Sequence, residues 1–202
     1  AFDKTLKAIE ILKAHNISVT IKSPIMKLNF EDYPWLIDFA VANGLKYKFD
    51  PVIAPKNNGD KSVLKYQLTD NQLKTVFNDK RLQTYRRIIS NFRLSSSNLS
   101  CSAGRNFAGI SPDGTVYPCI QFLYPLGNLQ INKFADIWYE SEQVNYIRNI
   151  NSGSFLECSA CNNIKFCRRC PGLVLLESNN LYARSEIACR LARIQRVCFY
   201  SA

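Results

Sequence analysis

The sequence predicts an α/β arrangement over its first half and a small cysteine-rich α+β arrangement, built on a β-hairpin, over its second. Three observations carry this. Helix and strand patterns alternate through the first fifty residues at the spacing of a parallel crossover unit. All eight cysteines lie in the second half, from Cys101 onward. Two extended runs flank the turn Ser111-Pro-Asp-Gly114, just downstream of the first cysteine.

In the first half, Asp3 can cap a helix with an apolar stripe of Leu6, Ile9, Ile11 and Leu12, running to about Asn16. Ile17 to Ser23 alternates apolar and polar residues and reads as a strand, which Pro24 helps to end. Asn29 is placed to cap a second helix through Tyr33, Leu36, Ile37, Ala40 and Val41, with Gly44 as its left-handed stop. Leu45 to Asp50 is the second strand. Two such units cannot close a barrel, so the fold is expected to begin part-way. Pro51 to Tyr66 reads as a loop turned by Pro55 and Asn57-Asn-Gly-Asp60. Thr69 to Gln72 is a capping box opening a helix through Leu73, Val76 and Phe77, extending as far as Ile89. The polar run Ser95 to Ser100 marks the boundary between the halves.

In the second half, Phe107 to Ile110 and Thr115 to Pro118 form the hairpin, carrying Cys101 in and Cys119 out so that both sulfurs share one end. Gly127-Asn128 reads as a turn. Phe134, Ile137, Trp138, Val144, Tyr146 and Ile147 give one or two short helices whose aromatics are expected in the core. Ser178 to Leu181 is a turn, and Ile187 to Phe199 is a helix presenting Cys189 near its start.

With 202 residues and 47% apolar composition the chain can build one or two cored domains. No stretch reaches the roughly 18 apolar residues of a membrane helix. The N-terminus reads as an amphipathic helix and not a signal peptide, so a cytoplasmic, reducing setting is expected. Clustered cysteines there favour metal or redox chemistry over disulfides. The formal charge of +10 fits a solvated surface or nucleic-acid binding. It also fits a third account, in which metal-bound thiolates offset the excess, with Lys165, Arg168, Arg169 and Arg190 beside them.

Cys158-Ser-Ala-Cys161 and Cys167-Arg-Arg-Cys170 place four thiols within thirteen residues. Pairs at this spacing can share a metal site, since the turn between them points N–H groups at the thiolates. His15, the one histidine, lies far upstream, which argues against mixed Cys/His zinc sites. A cysteine-only set of seven or more suits two iron–sulfur clusters, although spacing alone leaves zinc open.

The order Cys101, Gly114, Cys119, Cys158, Cys161, Cys167, Cys170, Cys189 resembles the SPASM domain, the C-terminal auxiliary-cluster domain of radical S-adenosylmethionine enzymes that modify peptides and proteins. The family has three residues between its fifth and sixth cysteines where this chain has Arg168 and Arg169, and Cys198 is extra. Phe2-Asp-Lys-Thr, Ile21 to Met26, and Phe49 to Pro55 followed by Asn-Gly-Asp60 resemble the last part of the radical enzymes' partial, TIM-like barrel. They are most similar to enzymes that mature ribosomal peptides.

The resemblance implies a barrel remnant over residues 1–94 and an auxiliary iron–sulfur domain over 95–202. Cys101, Cys119 and Cys170 would hold a first 4Fe–4S cluster; Cys158, Cys161, Cys167 and Cys189 would hold a second. The first would be completed by substrate, by Asp113 or another oxygen ligand, or by Cys198, whose other reading is a buried apolar thiol. The strand ends Ser23, Val52 and Ile53 would approach S-adenosylmethionine, or would simply pack. The Cys-x3-Cys-x2-Cys triplet that binds the radical-generating cluster is absent from these residues. S-adenosylmethionine and a third 4Fe–4S cluster are therefore expected only in a complete enzyme, with a preceding segment supplying them, and this chain alone should not cleave S-adenosylmethionine. The implied partners are a peptide or protein substrate, a peptide-recognition domain or protein, and an electron donor such as flavodoxin or ferredoxin, with no membrane and no nucleic acid. Two other classes compete: a non-catalytic iron–sulfur electron-transfer or scaffold module, and a zinc-stabilised nucleic-acid-binding protein using the bases of 165–169 and 184–196. No aromatic–basic stacking pattern accompanies those bases.

Overall fold

A computed structural model describes residues 2–82 and 101–201. The chain divides into two compact units, Ala1–Ile53 with Lys65–Gln83, and Ala54–Leu64 with Thr84–Ala202. The expected boundary at Ser95–Ser100 and the helical extension to Ile89 lie outside the described residues.

The first unit is a parallel crossover. Helix α1 (Phe2–Ala14) begins ahead of Asp3, so that carboxylate sits in the first turn, favourable to the helix dipole, and does not cap. The helix closes at left-handed Asn16, where Asn16 N–H donates to Lys13 O and Ile17 N–H to Leu12 O, both at 2.9 Å. The predicted stripe is present in sequence but no residue of α1 is buried. Strands β1 (Thr20–Pro24) and β2 (Lys46–Asp50) pair in parallel, from Thr20 opposite Lys46 to Pro24 opposite Asp50.

Between them lies α2 (Tyr33–Ala42), and Asn29 does not cap it. The Asn29 side chain instead closes the loop after β1, accepting from Met26 N–H (2.8 Å) and donating to Pro24 O (2.9 Å). Helix α2 starts after Asp32 with Pro34 in its first turn, where a missing N–H costs nothing. Gly44 has φ 66° and ends it as expected. Thr69 and Gln72 form the predicted reciprocal cap of α3 (Asp70–Asn78), which Asp79 terminates by turning back to Arg81. Ile25, Ile37, Phe49, Leu68, Leu73 and Val76 form the core. Among the described residues this sheet has two strands and no barrel.

The second unit carries an antiparallel sheet of β3 (Gly109–Ile110), β4 (Thr115–Tyr117) and β5 (Gly127–Asn128), in that order. The hairpin is the predicted one, turned at Gly114 with φ 83°. Gly127-Asn128, expected as a turn, is instead a third strand: Asn128 pairs with Thr115 and Gly127 with Val116. Helices α4 (Phe134–Glu140) and α5 (Glu142–Asn149) follow and supply Ile137, Val144 and Ile147 to the core. Their aromatics do not all join them. Phe134 is 42% exposed, stacked on Trp138, and Tyr146 is 41% exposed, stacked on Tyr124. Among the described residues three more α-helices follow: α6 (Leu156–Ser159), α7 (Pro171–Ser178) and α8 (Glu186–Tyr200). Among the described residues no helix is long and apolar enough to cross a membrane.

Candidate metal centre

The hairpin's open end brings Cys101 and Cys119 into one neighbourhood. Gly104 N–H donates to Pro118 O (3.0 Å) and to Phe107 O (3.0 Å), tying the segment after Cys101 to the one before Cys119. Phe122 N–H then closes a turn on Cys119 O (3.0 Å). Both cysteines pack against the core built on Val116, Phe122 and Ile147.

Cys170 reaches this place from the far end of the unit. It is the residue before α7, whose N-terminus passes directly over the Cys119 turn. A Cβ on Gly172 would lie 2.2 Å from Gln121 O, a distance no side chain tolerates, so only glycine permits the approach. Burial raises the Cys170 thiol pKa, opposed by the N–H groups of Leu173 and Gly172 and reinforced by the negative charge Cys101 and Cys119 would carry. The N–H groups are those left free at a helix start, which favour a thiolate once burial is offset.

A second group forms around α6 and the loop after it. Cys161 N–H bonds Cys158 O (3.1 Å), and Asn163 N–H points at Cys161 Sγ (3.4 Å), the knuckle geometry expected of this spacing. Burial pushes the Cys167 thiol up to about 11, and the charges of Cys189, Cys158 and Cys161 push the same way. Cys158 is raised by burial too, with Arg169 opposing, while Cys189 and Cys161 add to the rise. Cys189 is delivered by the first turn of α8. There Ser185 Oγ accepts from Ala188 N–H (3.0 Å) and donates to Glu177 Oε1 (2.6 Å), and Ile187 N–H reaches Glu177 Oε2 (3.3 Å).

Thus the charges of Cys101 and Cys119 act on Cys170, and those of Cys189, Cys158 and Cys161 act on Cys167. None of the eight cysteines forms a disulfide. Among the described residues no three Cys, His, Asp or Glu side chains stand as a ready site for a single metal ion. A 4Fe–4S cluster asks each thiolate to bind a different iron, so its sulfurs need not converge on a point as four zinc ligands must. Cys198 is buried on α8 at 4% exposure. Asp113 sits in the hairpin turn, where Ser111 Oγ donates to its carboxylate, as does Thr115 N–H at 3.2 Å, and these hydrogen bonds lower its pKa.

Residues 101–171 match the model of the SPASM family, an iron–sulfur cluster-binding domain. The matched SPASM segment contains every cysteine of both groups except Cys189, eighteen residues beyond it. No curated protein matches the sequence. Among solved structures, "Native anSMEcpe with bound AdoMet" is similar at 16% identity and TM-score 0.62, over 99% of this chain and 59% of that one. SuiB of Streptococcus suis bound to S-adenosylmethionine is similar at 18% identity and TM-score 0.58, over 92% of this chain and 48% of that one. A further anSMEcpe structure, with bound AdoMet and the Kp18Cys peptide, is similar at TM-score 0.60 and 16% identity, over 99% of this chain and 60% of that one. The chain thus shares their fold and spans about half to three fifths of their length.

The strand-end residues fall in the first unit. Ser23 is the next-to-last residue of β1, its hydroxyl on Pro24 O. Val52 and Ile53 follow the end of β2, Val52 N–H held by Asp50 and Ile53 O by the Gln67 amide. All three lie at the C-terminal edge of the parallel pair.

The sequence reading placed Arg169 beside the cysteines, without its contacts. Its guanidinium lies 3.8 Å from the Phe155 ring centroid, and Nη2 donates to Leu181 O and Ala183 O. Arg184 was not named for the metal site, yet it hydrogen-bonds Cys189, which raises its pKa. The signal for Arg184 was its position five residues before Cys189, at the mouth of a helix. Helix α7 was missed as well, although Pro171 at its first position was a usable mark.

Proposed function

We propose that this chain is the C-terminal part of a radical S-adenosylmethionine oxidoreductase acting on a peptide or protein, and that its second unit holds two auxiliary 4Fe–4S clusters. The observation that carries the reading is an interleaving of electrostatic neighbours: the charges of Cys101 and Cys119 act on Cys170, although only two residues separate it from Cys167, on which those of Cys189, Cys158 and Cys161 act. The residues fit such groups: thiols half-shielded from water, helix-start N–H groups on Cys170, and buried guanidinium nitrogens beside the second group with no protein acceptor. When bound, clusters of this kind supply one-electron redox chemistry and, at an iron without a protein ligand, a position for substrate.

The chain's own residues hold and shield. Cys101, Cys119 and Cys170 bind the first cluster and leave one position to an outside ligand, because the Asp113 carboxylate is engaged in the hairpin turn. Cys158, Cys161, Cys167 and Cys189 bind the second completely. The first unit is read as the closing part of a TIM-like partial barrel, with Ser23, Val52 and Ile53 on its S-adenosylmethionine side, where barrel enzymes place chemistry. A peptide substrate is supported by the structural neighbour with a bound peptide. An electron donor such as flavodoxin or ferredoxin and a cytoplasmic, reducing location follow from the same reading. As these 202 residues contain no Cys-x3-Cys-x2-Cys, no cleavage of S-adenosylmethionine is expected from this chain alone.

Anaerobic reconstitution with iron and sulfide tests the reading. It predicts retained sulfide, broad absorption near 400 nm (roughly the iron–sulfur charge-transfer region), and a reducible spin-resonance signal. Stable zinc with no retained sulfide would contradict it.

A further inference from the structure

Arg169 is a half-buried cation whose guanidinium has unused donors. Nη2 is satisfied by two carbonyls, but Nε and Nη1 are both buried and have no hydrogen-bond partner. Phe155, itself 4% exposed, covers one face of the guanidinium. The carbonyls of Leu181 and Ala183 and the ring therefore fix the plane from two directions. An arginine so held cannot swing out to water, and a buried N–H left without an acceptor is a cost native folds seldom carry. The strongest neighbours favouring its charge are cysteines, Cys158 first, then Cys167, Cys170 and Cys189. Three of the four belong to the second group. Cys167 and Cys170 flank Arg169 in sequence, and their thiols would become electron-rich sulfur once loaded.

We propose that Arg169 is a positioning and tuning residue that donates Nε–H and Nη1–H to sulfur of the cluster held by Cys158, Cys161, Cys167 and Cys189, and thereby holds that cluster's reduction potential up. This rests on the reading above that those cysteines bind a 4Fe–4S cluster. Positive charge and N–H donors stabilise the reduced, more negative cluster, so both act in one direction. Cys170 follows Arg169 directly in sequence, and its charge also acts on the guanidinium.

The test uses the full chain, loaded anaerobically, as wild type, Arg169→Lys and Arg169→Met. Iron and sulfide content come first: wild type without sulfide would overturn the cluster reading and this inference with it. In loaded protein, a spin-resonance redox titration should show one of two reduction steps displaced in Arg169→Met. Its equilibrium constant for reduction should fall at least tenfold, about 59 mV for one electron. The other step should move much less, and Arg169→Lys should recover part of the shift. Arg169 also braces Leu181 and Ala183, so a measurement on unmutated protein guards against a variant that fails to fold. Wild type labelled with 15N-guanidino arginine should show nitrogen hyperfine coupling in the reduced cluster signal. Loaded wild type lacking that coupling, or loaded variants with unchanged potentials, would overturn the proposal while leaving the cluster reading intact.

Discussion

Asp79 ties together three parts of the first unit with one carboxylate. It accepts from Tyr33 OH (3.2 Å), from Arg81 N–H (2.9 Å), and from Arg81 Nε (3.0 Å) and Nη2 (2.8 Å). Hydrogen bonding to Arg81 is the main reason its pKa falls below the ordinary value, against opposing burial. The folded pKa is depressed, so the stabilisation is present above the unfolded value near 4 and is lost as pH falls through the folded one. Asp79→Asn should lower amide protection in α2 and α3 by about 2 kcal/mol at neutral pH. The gap to wild type should close below about pH 4; a gap constant down to acid would contradict this. Gly172 gives a second residue-scale prediction. Gly172→Ala must push α7 off Gln121, at about 1–3 kcal/mol or more, and move Cys170 with it. Iron in the reconstituted chain should fall by about half, all of it from the group of Cys101 and Cys119. Full loading would show that the contact does not set Cys170.

Helix ends decided where the sequence was legible among the elements. Thr69 and Gln72 are three apart and cap reciprocally, a purely local pattern, and the structure contains it. Asn29 offered the same local signal, yet its side chain serves the loop after β1, because Pro24 O and Met26 N–H compete for it. Gly127-Asn128 has turn residues, but its state depends on β4, eleven or more residues away, and no local pattern records that pairing. The cysteine order was legible because it is a property of the sequence, and residues 101–171 match the SPASM model, whereas the unpartnered edge of Arg169 exists only in three dimensions. Helix α8 shows the element scale acting on the site. Ser185 is 3% exposed, and its hydroxyl caps the helix and engages Glu177. Ser185→Ala should cost about 1–2 kcal/mol. Hydrogen exchange should then speed up first at the Ile187–Cys189 amides; exchange unchanged there would show that α8 is held by packing alone.

For the whole molecule, the formal charge of +10 bears on what the cysteines bind. On the proposed reading, seven thiolates on two clusters would offset much of that charge, and the charges of Cys158 and Cys189 act on Arg169 and Arg184. The central claim is that seven interleaved cysteines divide into two independent clusters. The most direct test is iron and sulfide content after anaerobic reconstitution of the wild type and of single Cys170→Ser and Cys189→Ser variants. The account predicts about eight irons in wild type and about four in each variant, with different spin-resonance signals lost from the two. Loss of the same signal from both, or one to two zinc ions with no sulfide in the wild type, would contradict it.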